Sequence, residues 1–310
     1  MPESIRVFAP ATVANVTCGF DVLGFAVNQP GDELQLKFTN QPGIVISKIT
    51  GDNGKLSYDP MENTAGIAIV KFLEHLEIKK GLEIILHKKM PLGSGLGSSA
   101  ASAVAGAFAI NELLDRPLSR EDLVKFALEG ERIACGAAHA DNVAPSMLGG
   151  FILIRSYDPL DIIRIPTPVS LYATIIHPHI EIKTKDAREL LRKQILLKDA
   201  VKQWGNVGGL VAGLMMSDYG LIGRSMHDAI IEPIRSLLIP GFSDITRSAV
   251  EAGALGAGIS GSGPSIFALS SSAQAAEVAG EKMTNELQKI DIDSDLYVSK
   301  INHLGPQILD

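Results

Sequence analysis

Residues 91–102 read Pro-Leu-Gly-Ser-Gly-Leu-Gly-Ser-Ser-Ala-Ala-Ser, and an Ala-rich apolar stretch follows to Ile110. Gly93, Gly95 and Gly97 free the backbone for positive φ and let an anion approach main-chain N–H groups closely. Ser98 and Ser99 fall where a helix should begin, the end that carries unsatisfied donors and the positive pole of the macrodipole. A glycine loop feeding a helix N-terminus is an arrangement for holding phosphate. The alternative is a serine-capped glycine turn ahead of a core helix. Two better-known phosphate loops are excluded: no Lys-Ser/Thr pair follows Gly97, and the glycines alternate instead of reading Gly-x-Gly-x-x-Gly.

Two further segments have site-like composition. Residues 9–21 (Ala-Pro-Ala-Thr-Val-Ala-Asn-Val-Thr-Cys-Gly-Phe-Asp) end a strand-like run and carry Asn15 and Asp21, an amide and a carboxylate that a loop can present at a cleft. Alone they read equally as a turn bonding its own backbone. Residues 253–265 (Gly-Ala-Leu-Gly-Ala-Gly-Ile-Ser-Gly-Ser-Gly-Pro-Ser) form either a second anion nest or a tight hairpin.

The elements that must position these segments follow from periodicity. Strands are expected over 4–9, 33–39, 44–50, 82–87 and 149–155, and helices over 63–76, from the glycine loop to about 114, and 119–133. Ser119 with Asp122 has the spacing of a capping box. Three prolines between 159 and 168 break the pattern and divide the chain into 1–160 and 161–310. The second part reads as strands at 171–177, 255–259, 265–270 and 295–301, with helices near 185–195, 198–218, 243–252 and 273–289. The mixture implies α+β layers.

Composition narrows the partners. The chain has 310 residues, 46% hydrophobic and 20% charged, with a formal net charge of -7, which argues against nucleic acid or an anionic membrane as the main partner. No apolar run reaches a membrane span of about 18 residues. No signal peptide is visible, and Cys18 and Cys135 stand isolated, so a cytoplasmic location is expected.

Together, Pro10-x-x-x-Ala-Asn15, Pro91 to Ala100, and Gly253 to Pro264 resemble the three motifs of the GHMP small-molecule kinases, in order and spacing over nearly the whole chain. Within that superfamily the chain is most similar to the homoserine kinases, through 15–21, His139 to Pro145, and Glu232 to Gly241. The resemblance implies a domain like the second domain of ribosomal protein S5, followed by a ferredoxin-like domain. It also implies ATP-dependent phosphorylation of the L-homoserine hydroxyl in threonine biosynthesis, with Mg²⁺, and a homodimer. Rival readings are a mevalonate or diphosphocytidyl-methylerythritol kinase, or a non-catalytic nucleotide sensor of the same fold.

Carried over position by position, the resemblance assigns ATP to Pro91, Leu92, Gly93, Ser94, Gly95, Leu96, Gly97, Ser98, Ser99, Ala100 and Ala101, with Lys88 toward a phosphate and Asn63 near the adenine. Lys88 reads equally as an exposed strand charge, and Asn63 as a helix N-cap. Ser99 and Glu131 match magnesium positions, although Glu131 taken alone reads as a solvated helix face. For an amino-acid substrate, Arg188 and Arg235 match the carboxylate positions. Asp21 with Asn15 would meet the ammonium, and His139 and Asn142 line the substrate side. Asn142 and Glu131 are the catalytic candidates, with Asn142 where some relatives carry an Asp base and Asp141 of unknown direction beside it. One departure stands out: Val16-Thr17-Cys18 replaces the Leu-Gly-Pro common before Gly19, which implies a stiffer loop with Cys18 near the substrate.

Overall fold

A computed structural model describes residues 3–136, 138–182 and 184–309, with backbone only at Cys135 and 184–186. Among these residues the first part of the chain runs β1 (Ser4–Ala14), β2 (Leu23–Thr39), β3 (Ile44–Thr50), α1 (Thr64–His75), β4 (Gly81–His87), α2 (Ser98–Leu113), α3 (Arg120–Cys135), α4 (Ala140–Leu148), β5 (Phe151–Tyr157) and β6 (Leu160–Ile165). The second runs β7 (Tyr172–Pro178), α5 (Thr184–Glu189), α6 (Leu197–Met216), α7 (Tyr219–Ser225), α8 (Glu232–Arg235), α9 (Phe242–Glu251), β8 (Gly256–Ile259), β9 (Ile266–Ser270), α10 (Ala273–Gln288), β10 (Ser294–Lys300) and β11 (Gln307–Leu309).

The strands make two sheets. The larger has order β11-β1-β2-β4-β3, with β5 paired to β2 and β6 to β5; α2 and α4 pack on it, and α1 and α3 pack on α2. The smaller is fully antiparallel in order β10-β7-β9-β8, backed by α9 and α10, the strand order of a ferredoxin-like unit. Phe25 of β2 stacks on Phe151 of β5 and meets Phe267 of β9 edge-on, so one core continues from the first sheet to the inner face of the second. A separate core fills the outer face, around Ile245, Ala279 and Met283.

Small residues in α2 have a packing cause. A Cβ on Gly106 would lie 2.5 Å from the Ala65 carbonyl oxygen, so α1 and α2 cross with backbones nearly touching. The capping box of Ser119 and Asp122 opens α3 as expected. Two expected bounds need correction, and α4 and β6 are among the elements that periodicity does not show. β1 does not stop at Pro10: a bulge between Pro10 and Thr12 absorbs the missing donor and carries the strand on to Ala14. Helix α5 ends at Glu189, short of 195, in an exposed run with nothing to pack against. Helix α4 was missed because Pro145 lies inside it. Lacking an N–H, Pro145 cannot donate to the Asp141 carbonyl, and that oxygen leans on Gly24, where a Cβ would come within 1.8 Å. Strand β6 was missed because it occupies the proline-rich break, pairing as an edge strand with β5.

The start of α2 is fixed from below by charge. Lys88, at the end of β4, ion-pairs with Asp32 of β2, and both side chains are fully buried. The ammonium also donates to the Ser98 carbonyl and the Ser102 hydroxyl at 2.7 Å, while Asp32 accepts from the amides of Lys89 at 2.9 Å and Met90 at 3.2 Å. Removing one partner of such a pair strands the other charge, at a cost of about 3–5 kcal/mol. Lys88→Met should therefore lower the unfolding free energy by that amount, measured by chemical unfolding; a loss below about 1 kcal/mol would contradict the assignment.

Candidate active site

A cleft of about 370 Å³ opens where the glycine loop, the Asn15–Asp21 loop, α3, α4, α5 and α8 converge. Gly93, Gly95 and Gly97 all have positive φ, from 65° to 77°. Space is a second requirement at two of them. A Cβ on Gly95 would lie 2.4 Å from the Ser260 carbonyl, and one on Gly97 would lie 2.1 Å from the Thr12 hydroxyl. Thus the 253–265 segment backs the loop, with the Ser260 hydroxyl donating to the Gly95 carbonyl at 2.8 Å. Gly97 is the N-cap of α2 and has no side chain to cap it, so the helix start faces the cleft with its first amides unclaimed by the helix. The hydroxyls of Ser94 and Ser98 are buried without a partner in this same loop.

The loop assignments divide on these coordinates. Leu92, Gly93, Ser94, Gly95, Gly97, Ser98 and Ser99 line the cleft, whereas Pro91, Leu96, Ala100 and Ala101 do not, the last three being buried in the core. Lys88 also borders the cleft but is no exposed strand charge. Its three donors are committed to Asp32, Ser98 and Ser102, so it buttresses the loop and has none left for a phosphate. Asn63 lines the far end and is also the N-cap of α1, accepting from Ala65 at 3.1 Å. Leu56, Ser57, Glu62 and Ile133, none singled out by the sequence, complete that end.

Glu131 is not on a solvated face. It is 2% exposed, accepts a hydrogen bond from the Ser99 hydroxyl, and has its second oxygen 3.5 Å from His139 Nδ1. Glu129, two residues away, points outward and pairs with Arg132. One carboxylate and one hydroxyl, meeting beside an uncapped helix N-terminus, form the hard-oxygen donor set that a divalent cation shared with phosphates uses.

At the other end Asp21 ion-pairs with Arg188 of α5. Arg235 is 4% exposed and bonds only to main-chain carbonyls, Gly261 at 3.1 Å and Ala187 at 3.3 Å, with no carboxylate at ion-pair distance among the described residues. Burial holds its guanidinium below the usual arginine value. Phe20 lies under both arginines, with its ring centre 5.5 Å from Arg188 and 5.0 Å from Arg235. Asn15 is largely occupied in building the site: its amide donates to the Gly261 carbonyl at 2.8 Å and its oxygen accepts from the Asp21 amide at 3.0 Å.

The loop joining these residues is held in left-handed backbone at Asn15, Val16, Thr17 and Asp21, which non-glycine residues adopt only at a cost. Cys18 is 2% exposed and does not line the cleft; burial pushes its thiol up to about 11, so it is inert packing. Asn142 borders the cleft with its oxygen accepting from Thr12 at 2.8 Å, which turns its NH₂ toward other partners. Asp141 beside it is buried, lines the cleft and has one oxygen without a partner. Burial, with Asp21 adding to it, pushes the Asp141 carboxyl up to about 7. Neither Phe20 nor Asp141 could be assigned from spacing alone.

The family comparisons agree with this geometry. Models of the GHMP kinase N-terminal and C-terminal domains match residues 63–150 and 209–289. A homoserine kinase from Chloroherpeton thalassium is 54% identical over 99% of this chain and 100% of its own. One from Xylella fastidiosa is 38% identical over 98% and 94%. The crystal structure of a homoserine kinase from Cytophaga hutchinsonii superposes with a TM-score of 0.98 at 61% identity, covering 100% of this chain and 98% of that one. The crystal structure of L. major mevalonate kinase in complex with R-mevalonate shares the fold at 18% identity, with a TM-score of 0.73 and 95% of each chain covered. The chain belongs to the GHMP kinases, a two-domain family of phosphotransferases, and within it to the homoserine kinases.

Proposed function

We propose that the cleft transfers the γ-phosphoryl group of ATP to the side-chain hydroxyl of L-homoserine. The observation that carries this reading is the buried Arg235, a cation without a carboxylate partner among the described residues, set beside the Asp21–Arg188 pair. A substrate bearing both an ammonium and a carboxylate satisfies all three charges. Its ammonium replaces Arg188 on Asp21, and its carboxylate is shared by Arg188 and Arg235 in the forked geometry that guanidinium favours. Mevalonate has no ammonium to take the place of Arg188 on Asp21, so it cannot free that arginine for its carboxylate.

ATP lies with its base toward Asn63 and Leu56 and its phosphates over the start of α2. Lys88 is committed elsewhere, so the amides after Gly97 and the Ser94 and Ser98 hydroxyls receive the phosphate oxygens. Ser99 and Glu131 fit Mg²⁺, which when bound neutralises phosphate charge and orients the transferred group. Asn142, with its oxygen held by Thr12, presents its NH₂ to the substrate hydroxyl or the phosphoryl group and so orients them; it is not a base. His139 steadies Glu131. In a loose transition state the hydroxyl proton passes directly to the transferred phosphoryl group. The unpartnered oxygen of Asp141 favours a second reading, in which that carboxylate takes the proton. The family resemblance supports a homodimer and a cytoplasmic setting; among the described residues no helix is long and apolar enough to cross a membrane.

ADP release with Mg-ATP should be fastest with L-homoserine in a panel that includes L-threonine, mevalonate and 4-diphosphocytidyl-methylerythritol. Arg235→Ala should raise KM for homoserine by about 100-fold or more while KM for ATP changes less than about threefold. Equal loss of both, in a folded variant, would overturn the pocket assignment. Turnover with none of the four despite ATP binding would favour a nucleotide sensor.

Asp141 gives a pH prediction. Its carboxyl titrates near 3.8 unfolded and near 7 in the native state, so the native state holds the extra proton between those values. Stability therefore falls as pH rises through that window, and the penalty is complete above pH about 7. Asp141→Asn should stabilise the fold at pH 8 by up to about 4 kcal/mol and have little effect at pH 4, read by thermal unfolding. Under direct transfer its kcat falls less than about tenfold; a loss of about 100-fold or more, with the low-pH limb abolished, would make Asp141 the base.

A further inference from the structure

Arg235 sits on α8, a single turn of four residues, too short to hold its own position. Two sets of contacts tether that turn. At its start the Asp228 carboxylate accepts from the amides of Ile230 at 2.8 Å, Ile231 at 3.0 Å and Glu232 at 2.9 Å, and from Gln203 of α6 at 2.9 Å. These bonds pin α8 to α6 but leave its placement against β8 open. The second tether is Glu232, whose Oε2 accepts from the Ile259 amide at 3.1 Å, at the end of β8.

Two residues beyond Ile259 lies Gly261, the junction of the substrate end of the cleft. Its carbonyl accepts from both Asn15 at 2.8 Å and Arg235 at 3.1 Å, and its amide donates to Ala14 at 3.2 Å. Gly258 is shaped for the Glu232 contact: a Cβ there would lie 2.6 Å from Glu232 Oε2 and 2.6 Å from Thr17 Cγ2. Glu232 is an expensive way to fill this space. It is largely buried, its charged neighbour is another carboxylate, Asp228, and no cation lies at ion-pair distance among the described residues. Burial pushes its carboxyl up to about 7. An apolar side chain would pack there at lower cost. A small cavity of about 10 Å³ lies between Glu232, Arg235, Asn15 and Thr17, so the space behind Arg235 is not closed by packing.

We infer that Glu232 is a positioning residue for the substrate carboxylate: by holding the Ile259 amide it locks α8 to β8 and aims Arg235 into the cleft. The inference rests on the reading of Arg235 as the carboxylate partner. Steady-state kinetics on Glu232→Ala, Glu232→Gln, Gly258→Ala and Arg235→Ala, each checked for native unfolding, test it. Glu232→Ala should raise KM for homoserine about tenfold and leave KM for ATP within about twofold. Glu232→Gln keeps an oxygen for the Ile259 amide and should restore KM to within about threefold of the parent. Gly258→Ala, which displaces the same contact from the strand side, should reproduce the Glu232→Ala shift, and it decides the question if Glu232→Ala does not fold. An unchanged homoserine KM in folded Glu232→Ala or Gly258→Ala, or an equal rise for both substrates, overturns the inference. If Arg235→Ala itself leaves homoserine KM unchanged, the pocket reading fails with it; if Arg235→Ala raises KM and Glu232→Ala does not, only the role of Glu232 fails.

Discussion

The architecture depends on one buried ion pair. A phosphate-binding helix end must face a cleft with its amides uncapped, yet the same helix must be buried along nearly its whole length. Lys88 and Asp32 reconcile these demands. The pair clamps the first turn of α2 to the middle of β2 and the entry to the glycine loop, while Gly97 leaves the amides above it open. Because the lysine is consumed in this way, the phosphate end of the cleft relies on main-chain donors, hydroxyls and the Ser99–Glu131 oxygens.

The opposite end solves a different electrostatic problem. Asp21 and Arg188 neutralise each other across the cleft, while Arg235 remains buried and, among the described residues, bonded only to carbonyls. A zwitterion entering there exchanges ion pairs instead of creating unpaired charge, so the desolvation cost of Arg235 is borne by the fold and recovered on binding. Phe20 gives both guanidinium groups one shared apolar surface.

Much of this was readable from sequence because the informative residues are local. The three glycine positions, the capping box of α3 and the alternation of β2 and β4 each leave a short-range signature. Long-range partners left none. That Lys88 would be spent on Asp32, 56 positions away, and that Glu131 would be buried against Ser99, 32 positions away, are facts of packing. Helix α4 was hidden by Pro145, whose missing N–H is used to bring the Asp141 carbonyl against Gly24. At the Val16-Thr17-Cys18 departure, Val16 and Thr17 themselves stand in left-handed backbone.

The central claim is that the substrate end recognises a zwitterion through both charges. The most direct measurement is calorimetric titration of the protein with L-homoserine, 4-hydroxybutyrate and 3-aminopropan-1-ol. The two analogues lack the ammonium and the carboxylate respectively, and both retain the hydroxyl. The account predicts that each binds at least about 100-fold more weakly than homoserine, since one forgoes the ammonium's pair with Asp21 and the other the carboxylate's pairs with Arg188 and Arg235. If 4-hydroxybutyrate bound as tightly as homoserine, Asp21 would have no ammonium to meet and the account would be contradicted.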